Sequence, residues 1–523
     1  MSTHMTRTMR VWRWVVVSVL IAGGLASIAV SLTLRSSAIH QRVVDLLSDE
    51  LESEVTLASL DGRLFPRVAL VGDGLVIRHK GRTDVPPLIT IPHFEIAGSP
   101  LALLRRPRHL AEIQLEGLEV QIAPGAADDD DSKDDDSKPA LPREVNDVVI
   151  DQVEAPNAKV FLIPRNRSKE PRVFVIHHLV LTSVAPNHSM PFVATVTNPK
   201  PMGLIETSGT FGPWHVADPS RTPVSGKFVF EHADLGTIDG LGGILRSEGT
   251  FSGPLGRIQV QGETETPDFR VDVGGHAVPL YTRYDAIVDG SNGDTILKRV
   301  DATFLNTALV ASGAVTDVEG VPGRAIKVDV TMEDGRVEDL LTLVVKSAKP
   351  ILTGAVQLHA SMLLPPGKGS VVDKLDLNGE FGLTRAKFTD TTVQSKVVGL
   401  SRRSQGKANN EPMGEVVSDL EGRFVLDNGV VRFSRLVFGV PGASVELSGT
   451  YGLRSEQLDF TGTLRMRATV SQAAGGGMKS FFLKVFDPFF RKEGAGALLP
   501  IRITGTRENP KFGLALFGRR GGA

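Results

Sequence analysis

Apolar and polar residues alternate along most of this chain. The clearest case is LDFTGTLRM, where Leu458, Phe460 and Leu464 share one side, and Asp459 and Thr461 share the other. The same alternation recurs at Leu118 and Val120, Phe228 and Phe230, Ile258 and Val260, Val271 and Val273, Val328 and Val330, and Leu375 and Leu377. A period of two predicts β-strands with one apolar face.

Turn signals separate these strands. The chain has 54 glycines and 31 prolines, and Asp427-Asn428-Gly429 predicts a tight hairpin. A glycine motif, which we expect to let strands bend, recurs as SGTFG at Ser208, EGTFSG at Glu248, NGEFG at Asn378 and SGTYG at Ser448. Its irregular intervals indicate recurring hairpins, not a solenoid of fixed period. The expected fold is mainly β and mostly antiparallel, with a few short helices.

The N-terminus predicts a membrane anchor. Val15 to Leu34 is an uncharged span, long enough to cross a bilayer, with eleven Val, Leu or Ile residues. A cleaved signal peptide is the alternative, but its apolar core is usually only ~7 to 15 residues long. Arginines on both sides of the span narrowly favour a cytoplasmic N-terminus, with the body on the far side. An amphipathic helix is then predicted from Ile39 to Leu51, capped by Ser36 or Ser37.

Two segments interrupt the strand pattern. Ala126 to Pro142 holds seven aspartates and is predicted to be a disordered linker or loop, with a weak calcium site as the alternative. In GGGMKSFFLKVFDPFF, Met478, Phe481 and Phe486 lie on a predicted helical stripe that ends at Pro488. That helix is expected either to pack on one end of the sheet or to form a gate or a membrane contact.

Candidate chemistry is sparse. The chain of 523 residues has no cysteine and a formal net charge of -2, which excludes thiolate sites and gives no basic surface for nucleic acid. It has no nucleophile elbow, zinc-protease motif or phosphate loop. His177 and His178 are adjacent, so on a regular strand they face opposite sides and cannot share a metal. We therefore expect no enzyme activity, no cofactor and no metal.

Each end of the chain carries two distinctive stretches. The N-terminal end has SEVTLASLDGRLFPRVALVGDGLVIRHK and LITIPHFEIAGSPLALLRRPRHLAEIQLEGLEVQIA, and the C-terminal end has RFVLDNGVVRFSRLVFGVPGASVELSGTYGLRSEQLDFTGTLRM and LLPIRITGTRENPKF. On these stretches both ends resemble the AsmA-like family, and a short helix is expected at Leu101 to Arg105. The middle, from about Asp147 to Lys407, resembles the family only in character, and the acidic insert is not part of the family pattern.

The resemblance implies a bridge-like lipid transfer protein. Such a protein is a long, curled β-sheet with an apolar inner face, anchored in the bacterial inner membrane by a single span and projecting into the periplasm. The predicted regions are 1–35 (tail and anchor), 36–125 (N-terminal region), 126–142 (acidic linker), 143–407 (central groove) and 408–523 (C-terminal module). The candidate lipid-groove residues are Phe228, Phe230, Ile258, Val260, Val271, Val273, Val445, Leu447, Leu458, Phe460, Leu464, Ile501 and Ile503.

Three alternatives stay open. In the first, a second sheet covers the apolar face in an ordinary sandwich. In the second, the chain is a membrane-anchored scaffold that assists outer-membrane protein assembly through its strand edges. In the third, it is an envelope hydrolase, which would need a polar pocket.

If about 20 to 30 strands stack at ~4.8 Å, the sheet spans roughly 100 to 140 Å. Because that length is short for a periplasm, we expect an outer-membrane or envelope protein partner at the distal end, in addition to phospholipids and the inner membrane.

Overall fold

The described part of the chain is long but interrupted. The computed structural model describes residues 37–50, 53–63, 68–78, 85–98, 108–122, 148–163, 170–185, 188–215, 219–271, 275–318, 321, 323–367, 369–407, 415–468, 498–507 and 509–514.

Strands dominate these residues, which confirms the mainly β prediction. The helices are Ser37–Glu50 (α1), Val337–Val344 (α2), Val371–Lys374 (α3) and Thr391–Ser404 (α4). The first strands are Val55–Thr56 (β1), Ser59–Arg63 (β2), Val68–Ile77 (β3), Ile89–Gly98 (β4), Arg108–Glu116 (β5), Glu119–Ile122 (β6), Val148–Glu154 (β7), Ala158–Leu162 (β8), Arg172–Val184 (β9), Met190–Pro199 (β10), Met202–Phe211 (β11), Pro223–Asp234 (β12), Leu241–Gly242 (β13) and Ile244–Pro254 (β14).

The remaining strands complete the set in chain order. They are Ile258–Val271 (β15), Val278–Val288 (β16), Thr295–Phe304 (β17), Thr307–Asp317 (β18), Arg324–Arg336 (β19), Leu352–Leu364 (β20), Asp376–Phe388 (β21), Ser418–Asp427 (β22), Val430–Val440 (β23), Ala443–Gly452 (β24), Gln457–Met466 (β25), Leu498–Thr506 (β26) and Pro510–Leu514 (β27).

Several elements predicted from the sequence lie within the described residues. Helix α1 confirms the amphipathic helix predicted after the N-terminal span. Asn428 and Gly429 both have positive φ, as a two-residue hairpin turn between β22 and β23 requires. Among the described helices, none is both long and apolar enough to span a membrane. The anchor at Val15 to Leu34, the acidic segment and the predicted helices near Leu101 and Met478 lie outside the described residues.

The chain divides into two compact units. Unit 1 comprises Met1–Ala233, Arg246–Gly262 and Ile287–Asp294, and unit 2 comprises Asp234–Leu245, Glu263–Ala286 and Thr295–Ala523.

In unit 1, strands β1 to β11 belong to one connected ladder. Most neighbours are antiparallel, for example β3 with β4 and β9 with β10. Two pairs are parallel, β5 with β7 and β6 with β8. Helix α1 packs on the start of this sheet, where Val43 and Val44 contact a buried cluster that includes Leu60, Ile91 and Phe94.

In unit 2, strands β17 to β27 pair in chain order, each antiparallel to the next. Helices α2 and α4 directly follow β19 and β21, so both lie at the same end of the strands, which we call the helix end. The turns that join β22 to β23, β24 to β25 and β26 to β27 lie at the opposite end, which we call the hairpin end.

Several glycines of this ladder leave no room for a side chain. Gly379 and Phe381 of β21 lie opposite Phe424 and Gly422 of β22, so each strand sets a glycine against the other strand's phenylalanine. A Cβ on Gly422 would lie 2.8 Å from Cε1 of Phe381. The ring therefore occupies space that only glycine leaves free.

The same contact recurs in both units. In unit 1, added Cβ atoms on Gly72, Gly203 and Gly226 would lie 2.2, 2.7 and 2.9 Å from ring carbons of Phe94, Phe230 and Phe251, respectively. In unit 2, a Cβ on Gly449 would lie 2.9 Å from Cδ1 of Phe460. These glycines are thus packing positions, and one of them, Gly449, belongs to the recurring motif that was expected to let strands bend.

Two glycines of β21 allow a matched test of this packing. A Cβ on Gly379 would lie 2.6 Å from the carbonyl oxygen of His359, whereas a Cβ on Gly382 would meet no atom within 4 Å. We expect Gly379→Ala to lower the free energy of unfolding by ~1 to 3 kcal/mol, because the backbone of β20 must move. Gly382→Ala should leave it unchanged or raise it by up to ~1 kcal/mol. Urea unfolding followed by circular dichroism measures both, and equal effects would refute the close packing of Gly379 against β20.

Candidate functional site

One face of the unit 2 sheet is apolar across ten consecutive strands, from β17 to β26. Directly opposed residues form rows that cross the strands, and the row nearest the hairpin end is Leu297, Gly313, Val328, Met362, Leu377, Leu426, Val431, Tyr451, Leu458 and Gly505. The next row is Val300, Ala311, Val330, Ala360, Gly379, Phe424, Phe433, Gly449, Phe460 and Ile503.

Two further rows lie toward the helix end. One runs from Met332 on β19 to Ile501 on β26, and the other runs from Gly335 to Leu499. Every position in these four rows is an apolar residue, a tyrosine or a glycine. We call this surface the apolar face of unit 2. Phenylalanine rings follow one another across it, with centroids 6.4 Å apart for Phe424 and Phe433 and 5.8 Å apart for Phe433 and Phe460.

Seven of the predicted groove residues lie on this face. Val445 pairs with Leu464, and Phe460 pairs with Ile503. Leu447, Leu458 and Ile501 occupy the same rows.

The other predicted groove residues lie elsewhere. Phe228, Phe230, Ile258 and Val260 belong to unit 1. Val271 pairs with Leu241 of β13, and Val273 lies outside the described residues. The predicted set therefore does not form one site.

The prediction omitted much of the face. Phe381, Phe424, Phe433 and Leu436 lie at its centre, and β20 contributes Val356, Leu358, Ala360 and Met362. The alternation in LTGAVQLHASMLL could have identified the β20 residues. The phenylalanines were identifiable from their two-residue spacing after glycine, as in Gly379-Glu380-Phe381 and Gly422-Arg423-Phe424.

Unit 1 has an apolar face of the same kind. A row of opposed residues crosses eight of its strands through Gly62, Leu70, Ile96, Ile113, Val153, Leu181, Phe192 and Gly209. Farther along the chain, Phe228 and Phe251 are neighbours, with ring centroids 6.5 Å apart. Each unit thus presents a one-sided apolar sheet.

Protein covers only part of each apolar face. In unit 2, helix α2 packs at the helix end through a buried cluster that includes Met332, Val337 and Val356. Helix α4 packs at the same end, where Val397 joins a cluster contacted by Phe438 and Leu464.

Away from these helices, most side chains of the face are half-buried, although Leu426 and Phe460 are 5% and 6% exposed. Examples in unit 2 are Leu377, Phe424, Phe433, Leu447, Leu458 and Ile503. In unit 1, Phe94 under helix α1 is 7% exposed, whereas Leu181, Phe192 and Phe228 are half-buried. Within each unit, the described strands of these ladders are parts of one sheet.

A buried carboxylate fixes helix α2 over the apolar face. Asp339 is 5% exposed and accepts hydrogen bonds from the amide of Asn306 at 2.9 Å and the hydroxyl of Thr307 at 2.8 Å. The Thr307 hydroxyl in turn accepts from the amide of Arg336 at 2.9 Å. This network ties the first turn of the helix to the β17–β18 hairpin.

Charges are concentrated on the opposite face of each sheet. Arg423 pairs with Glu380 at 3.1 Å, Arg502 pairs with Asp459 at 3.2 Å, and Arg435 pairs with Glu421 at 2.8 Å. All of these side chains are exposed, so each pair adds little stability. Their effect is to make one face strongly hydrophilic while the other stays apolar.

Titratable groups with shifted pKa values are likewise exposed. A hydrogen bond from Ser59 and another from His93 lower the pKa of Asp73. Hydrogen bonds from Tyr281 and Arg283 lower the pKa of Glu263. These are carboxylates stabilised by surface donors, and none lies in the rows of the unit 2 apolar face.

The adjacent histidines are placed differently from the expectation. A β-bulge in β9 sets His177 and His178 against the single residue Thr195, so the regular alternation fails there. Both rings are exposed, and His177 Nε2 lies 2.7 Å from the hydroxyl of Thr197. Within the described residues, no group of three or more histidines and carboxylates is placed to hold a metal ion.

Comparisons with protein families, with characterised proteins and with solved structures give no match to this chain.

The Asp339 network can be tested by its stability effect. We expect Asp339→Ala to lower the free energy of unfolding by ~1 to 3 kcal/mol, because it leaves the amide of Asn306 and the buried hydroxyl of Thr307 without their acceptor. The control is Asp334→Ala, which removes an exposed carboxylate from the strand before the helix. Hydrogen exchange should show faster exchange in α2 for the Asp339 variant alone. Equal protection of α2 in both variants would show that Asp339 does not fix the helix.

Proposed function

We propose that this chain is an inner-membrane-anchored periplasmic protein whose apolar sheet faces bind the acyl chains of phospholipids and carry them, in support of outer-membrane homeostasis. In this proposal the chain is not an enzyme and uses no cofactor. The alternation of apolar and polar residues supplies the binding surface.

One observation carries the proposal. An apolar sheet face must be buried to be stable, yet the helices of each unit cover only one part of it and leave most of the remaining side chains half-buried. Acyl chains are a chemically suitable cover, because they need no hydrogen-bonding partner. The polar face of each sheet stays in water and keeps the protein soluble beside its load.

The free-energy cost of exposing acyl chains to water favours an apolar sheet face as a path for lipid. Exposing about thirty methylenes of a two-chain lipid to water costs roughly 24 kcal/mol, at ~0.8 kcal/mol each. A lipid that keeps its acyl chains on an apolar face while it moves avoids most of that cost. No chemical step or nucleotide is needed for the sliding itself.

The glycine contacts support a curled shape on the apolar side. A Cβ on Gly449 would lie 2.2 Å from the carbonyl oxygen of Asp459, and one on Gly462 would lie 1.9 Å from that of Glu446. Backbones of neighbouring strands approach this closely on the side toward which a sheet curves. We infer a concave apolar trough from this crowding.

Localisation and partners in the proposal follow from the sequence. The Val15 to Leu34 span would anchor the chain with its N-terminus in the cytoplasm. The resemblance of both chain ends to the AsmA-like family supports a periplasmic body and phospholipid as the load. An outer-membrane or envelope protein would receive lipid at the distal end.

A position-specific crosslink tests the proposal. We expect a photoreactive phenylalanine analogue at Leu447, on the apolar face, to form phospholipid adducts when the full chain is irradiated in cells. The control places the same analogue at Ser448, the next residue of β24, which is exposed on the polar face. Mass spectrometry should find at least about tenfold more lipid adduct at Leu447, since its side chain would touch acyl chains.

Equal or absent adducts at the two positions would contradict the proposal.

A second pair of variants separates lipid binding from the scaffold alternative. Leu447→Gln with Leu458→Gln should reduce co-purified phospholipid several-fold relative to Ser448→Gln with Thr461→Gln. If both double variants fold and both support outer-membrane protein assembly equally, while lipid is absent throughout, a scaffold that uses strand edges is the better account.

A further inference from the structure

A loop and a short helix of unit 2 touch each other although they belong to distant strands. Gly240 lies in the loop 235–243, which contains β13, and Val371 begins helix α3. A Cβ on Gly240 would lie 3.3 Å from Cγ2 and 3.9 Å from Cβ of Val371. Gly240 therefore packs directly against Val371. We call the loop 235–243 together with helix α3 the clasp.

Several strands separate the two halves of the clasp within the sheet. Strand β13 pairs with β15, the hydroxyls of Thr264 and Thr282 link β15 to β16 at 2.6 Å, and Lys298 pairs with Asp285 across β16 and β17 at 3.4 Å. Strands β17 to β20 then pair in chain order, and α3 follows β20. This path is about 29 Å long in a flat sheet, at ~4.8 Å per strand. The ladder must therefore curl strongly for the loop to reach α3.

The curl is toward the apolar side of the sheet. One buried cluster contains Val278 of β16, Leu383 of β21 and Val337 of helix α2. Helix α2 also reaches the turn between β15 and β16, where the amide of His276 donates to the carbonyl of Thr342 at 2.8 Å. Apolar side chains from strands this far apart share one cluster when the sheet is concave on their side. A contact between distant strands crosses the concave side, so the clasp lies over the apolar face.

Each half of the clasp is attached to its own part of the sheet. In the loop, Leu241 belongs to β13 and pairs with β15. Helix α3 is capped by Ser370, whose hydroxyl accepts a hydrogen bond at 2.7 Å from Arg454 of the β24–β25 turn. Gly240 and Val371 touch without a hydrogen bond between them. The two halves can therefore separate there while each keeps its own attachment.

The loop also has the backbone freedom that separation requires. Gly240 has a φ of 89° and Gly243 has a φ of 120°, so glycines in the left-handed region lie on both sides of β13. Because Gly240 has no side chain, moving it away from Val371 exposes little apolar surface. Segments held by so few contacts are the ones that open most readily.

We propose that the clasp is a gate over the apolar face of unit 2, which opens to admit an acyl chain onto strands β16 to β20 and then closes over it. The clasp supplies an aliphatic cover for such a chain, through half-buried Ile238, Leu241, Val371 and Val372. An acyl chain needs no hydrogen-bonding partner beneath this cover. Strands β24 and β25 lie beyond α3 in the ladder, outside the strands that the clasp spans.

This inference rests on the proposed function, because it assigns a route of entry to the same lipid. The two are separated by where lipid is found. Lipid on β24 and β25 reports on the proposed function, whereas a change confined to the strands between the two halves reports on the clasp.

A disulfide across the clasp tests the inference. The chain has no cysteine, so Gly240→Cys with Val371→Cys creates a single pair. The Cβ separation of 3.9 Å lies within the range of about 3.5 to 4.5 Å that disulfides have. Full-length protein, freed of lipid in detergent, is oxidised or kept reduced and is then mixed with vesicles of phosphatidylcholine that carries a diazirine in one acyl chain. After irradiation, mass spectrometry locates the lipid adducts along the chain.

We expect oxidation to lower the adducts on β18 and β19 at least about fivefold, and to leave those on β24 and β25 within about twofold, because only the former lie between the two halves. Reducing the disulfide should restore the lost adducts. Gly240→Cys alone carries the strain of a side chain at a φ of 89° but cannot lock the clasp. Its adducts should be the same under oxidising and reducing conditions.

A second variant needs no change at the strained glycine. Val371→Ser weakens the contact with Gly240 and should raise the adducts on β18 and β19 at least about twofold. The matched control is Val372→Ser, since Val372 lies next to Gly429 instead. Circular dichroism checks that each variant is folded.

Equal labelling of β18 and β19 in the oxidised and reduced protein would overturn the inference. Failure of the two cysteines to join in a folded protein, or equal adducts for the two serine variants, would also overturn it. In each of these cases, adducts that persist on β24 and β25 show that the proposed function stands. Absence of adducts from every strand of the reduced protein would instead contradict the proposed function, and the gate with it.

Discussion

Phe381 packs on Gly422 and Phe460 packs on Gly449, and the same contact joins Phe94 to Gly72 in unit 1. Each glycine lets a neighbouring strand's ring lie flat on the backbone, and each ring shields a stretch of backbone that has no side chain. Large apolar groups can therefore line a crowded side of the sheet. Without the glycines, the phenylalanines would be pushed outward and the strands apart.

This packing makes the sheet amphipathic without a second layer. Cross-strand ion pairs such as Arg423 with Glu380 keep the other face in water, so the helices have only one surface to cover. They cover it at one end, through Val337 of α2 and Val397 of α4. The half-buried remainder is the physical reason to look for a hydrophobic ligand rather than a catalytic pocket.

Sequence reasoning succeeded where the period was strict. The alternation of LDFTGTLRM predicted β25, and Asp427-Asn428-Gly429 predicted the β22–β23 turn. It missed helix α2, because VEDLLTLV spans only about two turns, and short apolar runs suit strand and helix alike. It also missed helix α4, whose valines and threonines favour strands, although Asp390 is a clear N-cap.

The groove residues show a different limit. Alternation shows which residues of a strand share a face, but it does not give the register between strands. The sequence could therefore identify Val445, Leu447, Phe460 and Ile503. It could not show which residues of β20 to β23 lie in the same rows. Bulges add to the problem, since the one at His177 breaks the alternation that the sequence implies. The division into two units likewise depends on long-range contacts that no local pattern encodes.

The two borders of the unit 2 apolar face differ in a way that matters for the proposed load. The helix end is covered by protein, with Leu464 and Phe438 packed near helix α4. The hairpin end is bordered by charge, where Arg454 pairs with Asp373 at 2.5 Å and Arg507 pairs with Glu456 at 3.0 Å. Under the proposed function, we expect an amphipathic lipid on this face to place its head group at the hairpin end, beside these ion pairs, and its acyl chains along the apolar rows toward the covering helices.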